Sequence, residues 1–120
     1  MENWIEVCRV DDIPRQGART VARAGGEGNL ALFRTDGDEV FALLDRCPHK
    51  GGPLSQGIVF GRSVACPLHN WTIALDDGRA APPDEGCARS FAVRIAQGRV
   101  YLRGDALAGK PDAPEACGRG

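Results

Sequence analysis

Cys47-Pro48-His49, followed after sixteen residues by Cys66-Pro67-Leu68-His69, sets two cysteine/histidine pairs in a chain of 120 residues. A thiolate and an imidazole two positions apart, answered by a second pair three positions apart, supply four ligands of mixed softness. Thiolate sulfur suits zinc and iron–sulfur clusters, and imidazole suits zinc or iron. His49 and His69 are the only two histidines present, so a chance gathering of unrelated residues is a poor explanation. Zinc fingers draw two neighbouring cysteines from one half of the site and two neighbouring histidines from the other. Here each half contributes one of each, which fits zinc poorly. It fits a [2Fe–2S] cluster in which two cysteines hold one iron and two histidines the other. Cys47, His49, Cys66 and His69 are the candidate ligands of one such cluster.

The ligand types carry a redox consequence. Two ferric ions and two sulfides make a core of about +2, which two thiolates cancel while neutral imidazoles add nothing. The site is then about neutral when oxidised and about −1 when reduced, so it accepts an electron more readily than a four-thiolate site. Pro48 and Pro67 stiffen the turns between ligands, and Gly51 and Gly52 permit close backbone approach to sulfur. Backbone N–H groups in such loops can donate to the sulfides and tune the potential.

Elements that could position these loops are short and β-rich. Runs of Val, Ile, Leu and Phe lie between Gly, Asp and Pro turns, and no segment keeps a helical apolar period for three turns. The pattern predicts strands at Trp4–Cys8, Ala18–Arg23, Asn29–Arg34 and Glu39–Leu44. A turn at Gly25–Gly28 separates the second from the third, and Asp36-Gly37-Asp38 makes a hairpin. Phe91–Ile95 and Arg99–Arg103 form a second hairpin around Gln97-Gly98. Between these stretches, from about Asp45 to Cys87, the chain is crowded with Gly, Pro, Cys and His, with short strands at Arg62–Ala65 and Trp71–Leu75. The expected architecture is an all-β antiparallel sandwich or barrel over residues 1–103, with a ligand-bearing lobe inserted at about 45–87. The segment 104–120, small and broken by proline, is expected to be poorly ordered.

Bulk properties narrow the function. A net charge of −1 with signs interspersed gives no electrostatic footprint for nucleic acid or an anionic membrane. No apolar run approaches the ~20 residues needed to span a bilayer. Met1–Glu6 lacks the basic start and apolar stretch of a signal peptide, which makes the cytosol the expected compartment. Five cysteines, odd in number and unevenly spaced, read as metal ligands plus free thiols rather than a disulfide framework. Gly25-Gly26-Glu27-Gly28 lacks the spacing and following helix of a nucleotide fingerprint.

Cys47-Pro48-His49-Lys50-Gly51-Gly52-Pro53-Leu54 with Cys66-Pro67-Leu68-His69-Asn70-Trp71 resembles the Rieske domain of the small subunit of assimilatory NAD(P)H-dependent nitrite reductases. The likeness runs from Trp4 to about Arg103 and includes Ser55–Val59 and Pro83–Phe91. Asn70-Trp71 and the Asp84–Phe91 segment pull the resemblance towards nitrite reductase, since the ferredoxins of ring-hydroxylating dioxygenases more often have small residues after the second histidine. The resemblance implies an electron-transfer or accessory subunit beside a large chain carrying flavin, an iron–sulfur cluster and siroheme, which reduces nitrite to ammonium. The alternative is a stand-alone Rieske ferredoxin working between a ferredoxin reductase and an oxygenase. A third reading, from the ligand types alone, is a zinc-binding interaction module. Rieske proteins of the cytochrome bc type carry an extra cysteine in each loop, where this chain has Gly52 and Leu68. They also place Ser and Tyr donors where Trp71 and Ile73 stand here, so the potential is expected near the low end of the Rieske range, about −150 mV.

The other cysteines have plainer roles. Cys8, in an alternating strand, is expected to be a small core residue. Cys87 follows an acidic turn and is expected to be structural, since four ligands are already supplied. Cys117, in the loose tail, is expected to be exposed. Trp71 is expected to pack beneath the ligand loop rather than relay electrons. Lys50, Asp84 and Glu85 are expected to be solvated charges. The outer nitrogens of His49 and His69 are expected to mark the surface through which electrons leave.

Overall fold

A computed structural model describes residues 4–22, 29–45, 53–67, 71–76, 78–80, 88 and 90–104. Ten strands run through them: β1 (Trp4–Arg9), β2 (Gly17–Val21), β3 (Leu30–Arg34), β4 (Val40–Leu44), β5 (Ile58–Phe60), β6 (Ser63–Ala65), β7 (Thr72–Ala74), β8 (Ser90–Phe91), β9 (Val93–Ala96) and β10 (Arg99–Arg103). All described pairings are antiparallel, in three sheets ordered β1-β10-β9, β2-β3-β4-β8 and β5-β6-β7. The all-β expectation holds. Val10–Asp12 and Leu54–Gln56 add single 3₁₀ turns, and no helix among the described residues is long and apolar enough to cross a membrane.

The middle sheet is apolar on both faces. Leu30-Ala31-Leu32-Phe33 does not alternate with polar residues, and every position of β3 is buried. A strand covered on one face shows alternation, whereas one covered on both reads as a continuous apolar run. Its side chains divide by parity. Leu30 and Leu32, with Val40 and Ala42 of β4, join Cys8, Ile13, Val100 and Leu102 in one core. Ala31 and Phe33, with Leu43, join Leu54, Val59, Val64, Cys66, Ile73, Leu75 and Ala88 in the other. Sheet β2-β3-β4-β8 therefore lies between the sheet of the chain ends and the small β5-β6-β7 sheet.

The turns follow their residues. Asp36-Gly37-Asp38 joins β3 to β4, with Asp38 at φ +65°. Thr35 closes the turn: its N–H donates to Glu39 O at 2.9 Å and its hydroxyl accepts Glu39 N–H at 3.1 Å. Gln97 and Gly98 both take positive φ, +53° and +74°, in the two-residue connection between β9 and β10. This is the mirror-image turn whose twist suits a hairpin.

Phe91–Ile95, expected as one strand, is divided. Ser90 and Phe91 pair with Leu43 and Ala42 in the middle sheet, while Val93–Ala96 pairs with β10 in the terminal sheet. The chain changes sheets at Ala92, as strands do at the corner of a packed two-sheet core. β2 ends at Val21, short of the expected Arg23. β5 was not expected at all; its Ile58 and Phe60 are exposed large apolar residues on an edge strand, and only Val59 between them is buried. Cys8 is buried as expected, in the core it shares with Leu30, Val100 and Leu102, and burial pushes its thiol pKa up. The expected turn at Gly25–Gly28, Cys87, Cys117 and the segment 105–120 lie outside the described residues.

Arg34 ties the first connection to the β3–β4 turn. Its Nη1 donates to Ile13 O at 2.8 Å and to Val10 O at 3.3 Å, and its Nε donates to Asp38 Oδ1 at 3.0 Å. The guanidinium of Arg34, with Arg15 beside it, holds the Asp38 carboxyl below the usual carboxylate range.

Candidate metal centre

Cys66, the cysteine of the second pair, directly follows β6 on the β6–β7 hairpin. Ser63, Val64 and Ala65 pair with Ala74, Ile73 and Thr72, and Cys66 N–H donates to Trp71 O at 2.8 Å. That bond continues the ladder by one step. At the other end of the hairpin Leu75 N–H donates to Arg62 O at 2.9 Å. Cys66 is 2% exposed and shares the apolar core of Val64, Ile73 and Leu54, with Trp71 packed against it. The packing role expected of Trp71 agrees with this placement. Ile73 is wholly buried, an apolar side chain with no hydroxyl to donate.

The first pair belongs to the segment between β4 and Pro53. Cys47 and His49 lie outside the described residues, as does His69, but both ends of that segment are described. Asp45 N–H donates to Asn29 O at 2.8 Å. The Asp45 carboxylate accepts two bonds from Ser55, from its N–H at 2.7 Å and from its hydroxyl at 2.7 Å. Next, Leu54 is wholly buried in the same core as Cys66.

Gly57 brings the two loop bases together. Ile58 opens the pairing with Ala65, and a Cβ on Gly57 would overlap the Ala65 carbonyl oxygen and sit 3.0 Å from Val64 Cγ2. Only a residue without a side chain allows that approach. The backbone path thus runs from Asp45 through its bonds to Ser55, along Gln56 to Gly57, and across to Ala65 beside Cys66. The described bases of the two candidate-ligand segments therefore lie in one small region. The buried Cys66 thiol in an apolar wall fits the thiolate side of an iron–sulfur group, and the residue types Cys47, His49 and His69 are chemically suited to supply its remaining ligands.

Sequence reasoning found the four ligand candidates but missed Asp45, Ser55 and Gly57. Asp before a Gly/Pro-rich loop and Ser after it are common turn residues, so their types gave no reason to connect positions ten apart. Arg62 was also unremarked. Its Nε lies 3.3 Å from Glu39 and its guanidinium stands 5.3 Å from the Phe41 ring centre, joining the β5–β6 turn to the middle sheet.

The Rieske [2Fe-2S] domain family matches residues 3–92. The 3-phenylpropionate/cinnamic acid dioxygenase ferredoxin subunit of Photorhabdus laumondii is 35% identical over 98 residues, covering 80% of this chain and 90% of that protein. The nitrite reductase [NAD(P)H] large subunit of Klebsiella oxytoca is 33% identical over 118 residues, 92% of this chain but 12% of that much longer protein. Among solved structures, a proposed NADH-dependent nitrite reductase small subunit from Mycobacterium tuberculosis superposes with TM-score 0.74 at 27% identity, covering 86% of this chain and 96% of that one.

Proposed function

The chain belongs to the Rieske [2Fe–2S] domain family, and from that premise we propose that it is the electron-transfer subunit of an NAD(P)H-dependent nitrite reductase. Its ligands in this reading are Cys47 and Cys66 on one iron and His49 and His69 on the other. When bound, the cluster supplies a one-electron couple. The protein's own part is to hold the four ligands on two short loops, to bury Cys66 against an apolar wall, and to keep water from the thiolate side. The imidazole edges of His49 and His69 are the exit surface. The donor and acceptor belong to a large chain with flavin and siroheme, and the compartment is the cytosol.

The observation that carries this reading is the fit in shape, over 86% of this chain and 96% of the other, to the M. tuberculosis protein. A second reading has equal support. The 35% identity to a dioxygenase ferredoxin subunit favours a free-standing carrier that passes single electrons from a ferredoxin reductase to an oxygenase. The zinc module is set aside, because the family match is to an iron–sulfur domain.

Optical and EPR spectra of the anaerobically purified chain, before and after dithionite, test the shared core of both readings. A rhombic signal on reduction, lost in Cys66→Ala, is expected; a colourless protein holding one zinc would overturn both. The reduced chain is then mixed with a flavin- and siroheme-containing nitrite reductase large subunit and, separately, with a Rieske oxygenase. Association and reoxidation with the first alone supports the nitrite reductase reading, and reoxidation by the oxygenase alone replaces it with the second.

A further inference from the structure

One serine binds both oxygens of the Asp45 carboxylate. Ser55 N–H reaches Oδ1 at 2.7 Å and Ser55 Oγ–H reaches Oδ2 at 2.7 Å, and both bonds are part-buried. What the pair encloses gives it meaning: residues 46–54, with Cys47 and His49 among them. The 3₁₀ turn Leu54–Gln56 starts at Pro53, whose side chain makes no capping bond. The Ser55 N–H would be an orphan donor of that first turn, and Asp45 caps it from the opposite end of the loop.

Each side of the pair is fixed to something rigid. Asp45 follows β4 and its N–H is bonded to Asn29 O. Leu54, beside Ser55, is wholly buried. Two residues beyond Ser55, Gly57 rests on the Ala65 carbonyl, next to Cys66. A ligand loop left open must be ordered when it grips metal, at a cost in backbone entropy. Closing its neck with two charge-assisted bonds, the stronger kind, moves that ordering into the folding of the protein.

We propose that Asp45 and Ser55 are positioning residues that hold the Cys47/His49 loop closed and thereby retain the iron–sulfur cluster; this rests on the ligand set proposed above. The test uses the full, cluster-loaded chain as wild type, Ser55→Ala, Ser55→Thr, Asp45→Ala and Thr35→Ala. Thr35→Ala removes a comparable hydroxyl bond, to Glu39 N–H at 3.1 Å, at the far end of β4. Two quantities are read: decay of visible absorbance under excess chelator, and amide hydrogen exchange across 46–54.

Ser55→Ala should lose the cluster about tenfold faster, as about 1.4 kcal/mol of lost closure gives, with faster exchange across 46–54. Asp45→Ala, which removes both acceptors, should be at least as fast. Ser55→Thr, keeping the hydroxyl, should stay within about twofold of wild type by the same conversion, and Thr35→Ala should match wild type in both readouts. Equal loss rates for Ser55→Ala and Thr35→Ala would reduce the pair to a general contribution to stability and overturn the proposal. So would a loaded wild type indifferent to Ser55→Ala. A wild type that holds no iron–sulfur cluster overturns the ligand reading and the proposal with it, so the two failures are distinguishable.

Discussion

Replacing Gly57 by alanine probes the point where the two ligand loops meet. Gly57 sits at φ −82°, ψ −174°, an extended conformation open to any residue, so backbone strain is not at issue. The obstacle is the Ala65 carbonyl oxygen, which the new Cβ would overlap, with Val64 Cγ2 at 3.0 Å behind it. The obstructing oxygen is backbone in a paired strand, so it cannot swing aside as a side chain would. Overpacking of this kind costs about 1–3 kcal/mol, and loosening a neighbouring ladder bond adds about 1 kcal/mol. A total of about 3 kcal/mol corresponds to a fall in Tm of roughly 12 °C for a domain of this size. Gly61 is the internal comparison, at φ +56° with open space for 4 Å around the place a Cβ would take. Gly61→Ala should cost only the left-handed backbone penalty, about 1–2 kcal/mol. Urea unfolding of both variants measures the difference. If Gly57→Ala is no more destabilised than Gly61→Ala, the close approach at Ala65 does not constrain the fold and the argument for a shared root of the two loops fails.

Arg34→Met should cost about 3 kcal/mol in urea unfolding, since it removes the buried donor to the Ile13 carbonyl, one of two donors to the Val10 carbonyl and an ion-pair partner at a largely buried site; Arg15→Met, losing an exposed pair, should cost under about 1 kcal/mol. Asp38, whose carboxyl is held below its ordinary value of 3.8, stabilises the fold fully above that value. Its contribution shrinks as pH falls below it and is gone once pH passes under the depressed native value. The stability gap between wild type and Asp38→Asn should therefore persist at neutral pH and close only in strong acid, which urea midpoints across acid pH will show. Ile73, wholly buried and apolar, offers no hydroxyl donor, and a redox titration should find a midpoint of about −150 mV. A value above about +100 mV would refute that reasoning.

Residue types and local spacing were enough to identify most of the strands and to nominate a ligand set. Ligand capacity is a property of residue type, so Cys47, His49, Cys66 and His69 stand out as candidates from the sequence alone. Strands bounded by Asp-Gly or Gln-Gly turns were legible because both signals are local. Phe91–Ile95 misled for the same reason: apolar strand residues continue across Ala92, and nothing local records that Phe91 and Val93 pair with different sheets. β5 was missed because three residues, two of them exposed and apolar, make no usable period.

How the loops are held emerges only from the packed fold. The unbroken apolar run of β3 has its reason in two sheets covering opposite faces. The bond from Asp45 to Ser55 joins residues ten apart, and Gly57 is required by a carbonyl on another strand. These constraints arise from which backbone segments come into contact. That is set by how three sheets stack, while residue type and local spacing carry only what each segment can do alone.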